Sequence, residues 1–241
     1  MIKGLTVFLD FNRRRSKAVE DRLPARFKRH LHTIYKYEVA ALVNNRLGQV
    51  ILDIGGGKDC PFLPFVTEPE QQLIVAVDFS EEDLRGNLCC VRRIVADAAA
   101  PTFPFHNGSA DLIVSRSVVE HLQNNQVFFE NCARVLRPGG VLIHTFPCKF
   151  KPFSLLKQLI PNRWTRYLVA TFHLRWYETC GFPAFYDRCY YSAIRDLLLR
   201  NAFKNLTFTF RYYQNIYFDF VFPLYAVMVT YDLALLVPWH S

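Results

Sequence analysis

The sequence predicts an α/β fold, a mostly parallel sheet with helices on both faces. Three observations carry this. Five short aliphatic runs recur between residues 50 and 145 without polar alternation, as strands buried on both sides require. Stretches with helical spacing separate them. Three of the runs end at or beside an acid, Asp53, Asp78 and Asp97, which puts three carboxylates on one edge of a parallel sheet.

Taken in order, residues 1–29 form a basic N-terminal extension with no clean hydrophobic period. From about Arg26 to Asn44 the pattern turns helical, with Phe27, Leu31, Ile34, Tyr35, Val39 and Leu42 at three- and four-residue steps. The first strand, in VILDIGGGKDC (Val50 to Cys60), runs into three consecutive glycines. Glycines there let the backbone turn tightly and approach a ligand with no side chain between. The second strand is Leu73 to Asp78. Ser80 reads as the N-cap of a helix whose first turn is Glu81, Glu82 and Asp83, acids that suit a helix N-terminus. The third strand is Arg93 to Ala96 and the fourth runs from Ala110 to about Ser115. A helix is expected from Val118 to Leu136. Arg137-Pro138-Gly139-Gly140 reads as a turn into the fifth strand, Val141 to Thr145.

Residues 30–147 therefore read as one core. Residues 148–191, rich in aromatics, arginine and proline, read as a helical insertion or lid. Residues 192–241 supply a helix (Ser192 to Asn201), a strand (Leu206 to Tyr212) and an apolar tail from Tyr217 to Val237. That tail is long enough to cross a bilayer, but Asp219, Pro223 and Asp232 interrupt it, which argues against a spanning helix. Packing on the sheet and an interfacial contact with lipid headgroups are the two alternatives, the first favoured.

The net charge of +8 is uneven: +7 over residues 1–50, −4 over 51–150 and +5 over 151–241. The basic flanks suit an anionic substrate, a membrane surface or plain solvation. No nucleic-acid recognition motif accompanies the charge, so nucleic acid is not expected as a partner. The 7 cysteines include no CxxC pair and no Cys/His cluster with zinc spacing, so no metal is expected, and reduced thiols in a cytoplasmic protein are the simplest account. The first apolar run, Leu5 to Leu9, is too short for a signal peptide and is followed by Asp10 and three arginines.

Bare glycine backbone beside strand-end carboxylates suits a nucleoside-bearing cofactor. Asp78 can accept from two ribose hydroxyls at once. Asp97, with the backbone of Ala98, can meet an exocyclic amino group of adenine, and Gly55 and Gly57 leave backbone for the rest of the ligand to lie on. A dinucleotide-binding fingerprint begun at Gly55 would need glycine at position 60, where the chain has Cys60.

With these motifs the chain resembles the class I S-adenosylmethionine-dependent methyltransferases of the small-molecule type. Their first motif, an acid followed by alternating glycines, matches Asp53, Gly55 and Gly57; the usual third glycine falls at Asp59. The strand-end acids match Asp78 and Asp97, SADLIVSRSVVEHL resembles the fourth-strand region and NCARVLRPGGVLIHTFP the fifth. The resemblance covers roughly residues 30–147. It implies a Rossmann-like, seven-stranded, mostly parallel sheet with the last strand antiparallel; Leu206 to Tyr212 suits the sixth strand, and no clear final strand follows unless Ala226 to Asp232 supplies it. It implies S-adenosyl-L-methionine as cofactor, held by Asp53, Gly55, Gly57, Asp78, Phe79, Asp97, Ala98 and Ser115.

The implied reaction needs a base only if the acceptor loses a proton. His121, beside Glu120, is the most visible candidate, but an EH pair at this point of the family is usually structural; His106, His144 and His173 are equally open. No Asn/Asp-Pro-Pro-aromatic motif follows the fourth strand, where the chain reads Ser115-Arg116-Ser117, which argues against transfer to adenine N6 or glutamine N5. Pro147-Cys148 follows the fifth strand instead and reads as a buried thiol. In the insertion, Arg163, Arg166, Arg175 and Arg188 with Trp164, Trp176 and Tyr186 suit a planar or anionic acceptor. The segment also resembles those of bacterial methyltransferases of surface-glycan or lipid-linked sugar pathways. A small-molecule, sugar or lipid-linked acceptor is expected, with peripheral contact to the inner face of a membrane. The alternative is a catalytically silent module that binds a membrane or protein partner.

Overall fold

The computed structural model describes residues 2–28, 30–88, 92–160, 164, 167, 183–212 and 218–235. Two compact units emerge, one of residues 32–207 and one of residues 1–31 with 208–241. Each is treated by itself.

The larger unit is built on five strands: β1 (Val50–Ile54), β2 (Leu73–Asp78), β3 (Arg92–Val95), β4 (Ala110–Arg116) and β5 (Leu136–Thr145). All neighbours are parallel and the order is β3-β2-β1-β4-β5. The chain leaves β1 toward β2 and β3, then crosses back to β4, so the order reverses between β1 and β4. Ligands in open parallel sheets bind at the carboxyl end of such a switch. Side-chain alternation sorts the two faces. Ile51, Ile74, Ala76, Leu112 and Val114 pack with Tyr35, Val39 and Val43 of α3, the helix Leu31–Asn44. Val39 and Val43 are fully buried, and burial of such side chains stabilises by about 1.5–3 kcal/mol each. On the other face His144 of β5 lies against Phe128 and Phe129 of α5, the helix Asn125–Val135. Ser80 caps α4 (Glu81–Gly86) by accepting from the Asp83 amide at 3.2 Å. Helices α6 (Pro152–Leu159) and α7 (Tyr191–Arg200) follow the sheet.

Several expectations are corrected. The sheet has five strands among the described residues, not seven. Leu206 to Tyr212 alternates in sequence but forms no ladder; a strand exists only where a partner edge accepts it. Ala226 to Asp232 lies within the helix α8 (Phe222–Leu235), which buries Tyr225, Val229 and Asp232 at the helical spacing of four and three. The helix expected from Val118 begins only at Asn125. Asn124 caps it, accepting from the Val127 amide at 3.3 Å, while the Asn125 carboxamide donates to the Val119 carbonyl at 3.1 Å and holds the preceding segment as a separate short turn, Val119–His121. The Arg-Pro-Gly-Gly stretch is a bulge inside β5 rather than a turn before it. Leu136 pairs with Ala110 and Val141 with Leu112, so residues 137–140 arch outward, and Arg137 pairs with the Asp111 carboxylate.

The second unit has two long helices among the described residues. The basic N-terminal residues form α1 (Ile2–Arg22), which packs on α8; a short turn of helix, α2 (Ala25–Lys28), follows α1. Among the described side chains of α1 the buried ones are Leu9, Asn12 and Ser16. Two of the three are polar, which is why no hydrophobic period marks this helix in the sequence. The Ser16 hydroxyl donates to the Asp219 carbonyl at 2.9 Å, and the Phe222 amide donates to the Asn12 side-chain oxygen at 2.9 Å. These bonds satisfy polar groups that the packing removes from water.

Candidate functional site

The glycine loop sits where β1 gives way to the switch point. Gly55 has φ +71° and its amide donates to the Val77 carbonyl at 2.7 Å. A Cβ on Gly55 would lie 2.1 Å from the Val118 side chain, and one on Gly56 would lie 2.9 Å from the Ala76 Cβ and 3.0 Å from the Asp53 carbonyl. Glycine is therefore required at both positions on steric grounds, and what faces outward is bare backbone. Gly57 turns again with φ +34°, and its amide donates to the Asp78 carboxylate at 3.1 Å. The loop and the end of β2 are thus one bonded unit.

Asp78 accepts a second bond from the Ser80 amide at 2.9 Å. Burial pushes its carboxyl above the ordinary carboxylate range, and the Ser80 and Gly57 amides offset part of that push. The Ala96 amide donates to the Asp78 carbonyl at 2.9 Å, which places Asp97, one residue on, beside the end of β2. The Asp97 side chain is exposed and accepts from the Ala99 amide at 2.8 Å. Ala98 is buried, and its carbonyl accepts from Asn131 of α5 at 3.1 Å. Phe79 stands 61% exposed on the same rim.

Asp53 is buried, at register with Ala76 of β2 and Val114 of β4, on the α3 side of the sheet. Its charge reaches the Tyr35 hydroxyl, whose pKa is raised first by burial and next by Asp53. The Tyr35 hydroxyl has no hydrogen-bond partner among the described residues. Asp59, at the place of the expected third glycine, is turned outward and pairs with Arg116 at 3.4 Å. The side chain there is neutralised at the end of β4 rather than folded into the loop.

Ser115 lies elsewhere. Its hydroxyl shares a 2.5 Å hydrogen bond with Nδ1 of His144 on the α5 face, opposite to Asp53. Only the backbone of Ser115 belongs to the strand end. Burial lowers the His144 pKa to about 3, so this ring stays neutral. His106 sits in the loop that precedes β4, on the opposite edge of the sheet, and is exposed. His173 falls outside the described residues, as do Arg163, Arg166, Arg175 and Trp176 of the expected lid. Cys148 is half-buried rather than buried.

Glu120 and His121 join the rim to the segment that follows the expected lid. The Glu120 carbonyl accepts from the amides of Phe185 at 2.8 Å and Tyr186 at 3.0 Å. His121 donates from Nδ1 to the Pro183 carbonyl at 2.7 Å. Because a carbonyl only accepts, the Nδ1 proton is fixed, and a neutral ring then carries its lone pair on Nε2. Burial holds the His121 pKa below its ordinary value, which favours that neutral, basic form. Its Nε2 lies 3.8 Å from the Glu120 carboxyl, whose own pKa burial raises to about 7. Cys189, close by, is pushed up to about 12 by burial and then by the Glu120 charge, so it is no nucleophile at neutral pH.

Three contributors escaped the sequence. Asn87 is fully buried and donates to the Gly56 carbonyl at 2.8 Å, anchoring the loop from beneath. Tyr35 was visible only as one apolar step of a helix. Asn131 holds the Asp97 loop through the carbonyls of Ala98 and Ala100. None carries a local signal, because each acts across a large sequence distance.

Two cavities lie away from this rim. One of about 250 Å³ is lined by Leu42, Gln49, Asp111 and Val141, at the N-terminal edge of the sheet. Another, of about 500 Å³, belongs to the helical unit, where Arg13, Lys17, Asp21, Asp219 and Tyr225 line it. Of its cations, Arg13 pairs with Asp219 and Lys17 with Asp21, and Arg14 lines it as well. Neither cavity includes a residue of the glycine loop.

Residues 52–144 match the family described as a methyltransferase domain. The phosphoethanolamine N-methyltransferase of Triticum aestivum is 29% identical over 122 residues, which is 46% of this chain and 23% of that protein. The probable S-adenosylmethionine-dependent methyltransferase of Mycolicibacterium smegmatis is 38% identical over 80 residues, 33% of this chain and 31% of that one. The chain thus spans less than a third of the length of these two relatives. Among solved structures, one described as a possible exported protein from Bordetella parapertussis superposes with TM-score 0.52 at 18% identity, over 78% of this chain and 65% of the other. That likeness bears on the fold.

Proposed function

We propose that this chain, whose residues 52–144 match the methyltransferase-domain family, is an S-adenosylmethionine-dependent methyltransferase acting on a small-molecule, sugar or lipid-linked acceptor. One observation carries the reading: the glycine loop offers bare backbone while its Gly57 amide is bonded to the carboxylate that ends β2.

The residues present fit the cofactor. At Gly55 and Gly56 a Cβ would strike Val118, Ala76 and the Asp53 carbonyl, so packing holds the loop to bare backbone. Asp78 uses each carboxylate oxygen once toward the backbone, which leaves lone pairs for two ribose hydroxyls. Phe79, exposed on the rim, offers a ring face to the base, and Asp97 with the Ala98 backbone meets its amino edge. Asp53 with Tyr35 forms a buried polar floor on the α3 side, suited to the charged amino-acid end. Ser115 contributes backbone alone.

The cofactor supplies a methyl group already activated by a sulfonium. The protein's task is to align the acceptor and exclude water. His121, with its Nδ1 proton tied to Pro183 and its pKa lowered, can take a proton through Nε2 if the acceptor must lose one. Glu120 holds residues 185 and 186 against the rim and so positions the far wall of the site.

Calorimetry tests the reading. The wild type is expected to bind S-adenosylmethionine and S-adenosylhomocysteine. Asp78→Ala is expected to weaken both by about 10- to 100-fold, the worth of hydrogen bonds to a charged group, with circular dichroism confirming the fold. A well-folded wild type that binds neither compound ends the proposal.

A further inference from the structure

We propose that the helical pair α1–α8 docks on an anionic lipid surface. The two helices bury a narrow, partly polar seam and turn large apolar side chains outward. On α1, Val7, Phe8 and Phe11 are 70%, 50% and 56% exposed. At 3.6 residues per turn they share a flank with Arg14, Arg15 and Arg22. Of the acids of α1, Glu20 falls on the far side, while Asp10 and Asp21 border the flank beside Arg14.

On α8 the outward face is Leu224, Val227, Tyr231 and Leu235, each at least 38% exposed, with Val227 at 63%. That face carries no charge. The one acid in α8, Asp232, is turned into the seam and is 3% exposed. A helix with an uncharged outer face beside one with an apolar, cationic flank has the character of an interfacial element. Apolar side chains gathered on one helix flank, rather than scattered singly, mark an interaction surface.

The placement of the cations selects the partner. The Arg15 guanidinium lies 5.0 Å from the Phe11 ring and 5.8 Å from the Phe222 ring. A positive charge is therefore held at the edge of the apolar surface, where a phosphate headgroup sits when aromatic side chains enter the acyl boundary. A second copy of the chain would bring the arginine flank against itself and meet like charge. No helix among the described residues is long and apolar enough to cross a membrane, so the contact is with one surface.

This inference stands apart from methyl transfer, and its test reads vesicle binding alone. The full chain is sedimented with vesicles of phosphatidylcholine alone and of phosphatidylcholine mixed with phosphatidylglycerol. Binding is expected only to the mixed vesicles and is expected to fall as salt rises. Arg14→Ser and Arg15→Ser should each weaken it about fivefold, and Phe11→Ser and Val227→Ser should weaken it as well. All four residues are exposed, so the variants are expected to fold, and calorimetric binding of S-adenosylhomocysteine should match the wild type in each. Equal partitioning onto both vesicle types, no partitioning, or binding that none of the four variants changes would overturn the proposal. A concentration-dependent dimer in the ultracentrifuge that Phe11→Ser abolishes would assign the face to a second copy instead.

Discussion

The strands of the sheet unit and the helices of the other unit sort polar and apolar side chains differently. At the centre of the sheet, along β1 and β4, apolar and polar side chains alike are turned inward. Ile51, Leu112 and Val114 are buried, and Asp53, Asn87, Ser115 and Glu120 are buried with them. In the helical unit the polar Asn12, Ser16 and Asp232 are inside while Val7, Phe11 and Val227 face out. Side chains of similar chemistry therefore carry different information in the two places. Buried polar groups in the sheet unit mark where backbone must be positioned to a fraction of an ångström. Exposed apolar groups in the helical unit form the surface that the proposed lipid contact would cover.

Substituting glycine sharpens that contrast most. Gly55→Ala meets the Val118 side chain at 2.1 Å and forces an L-residue to φ +71°. Overpacking and the left-handed backbone together should cost about 2–5 kcal/mol, read by urea unfolding, and cofactor binding should be lost. Stability equal to the wild type would mean that the loop is not packed as described.

Glu120 comes next. Its carboxyl moves from the ordinary 4.5 to about 7 on folding because burial penalises the charge. The folded state therefore holds a proton that the unfolded chain has released. The stability this confers is fully present below about pH 4.5 and is lost as pH rises through about 7, a change of about 3.5 kcal/mol at most at 1.4 kcal/mol per unit. Glu120→Gln should flatten this slope and melt above the wild type at pH 8. Parallel melting curves for the two proteins from pH 5 to pH 8 would show that the carboxyl is solvated.

The smallest effect belongs to the helical unit. Gly4 lies inside α1, and a Cβ there has nothing within 4 Å. Gly4→Ala should stabilise α1 by about 0.5–1 kcal/mol through helix propensity alone, seen as a modest rise in Tm. A loss of stability would reveal a neighbour against that position and break the contrast with Gly55.

How far the site was legible follows from the same physics. The Gly55–Gly57 loop and Asp78 could be read because a positive φ and a strand-end acid are local demands, written where they act. The direction of Ser115 was also available: strict alternation along β4 sets it on the face opposite to Leu112 and Val114, and there the structure finds it bonded to His144. Asn87 and Tyr35 were not legible. Asn87 bonds 31 residues away, and a buried asparagine after a helix reads locally as a cap. The start of α5 depended on whether Asn124 would cap or continue a helix, a choice that the Asn125 bond to Val119 decides.

By itself, then, the chain specified the order of its five strands, the parallel core and the glycine turn with its adjoining carboxylate. Each follows from a period or a backbone requirement contained within a few residues. Packing decided the rest. Leu206 to Tyr212 has the alternation of a strand and no partner edge, and Ala226 to Asp232 has the residues of a strand and the burial of a helix. A ladder or a seam is a property of two segments at once, so neither segment can announce it alone.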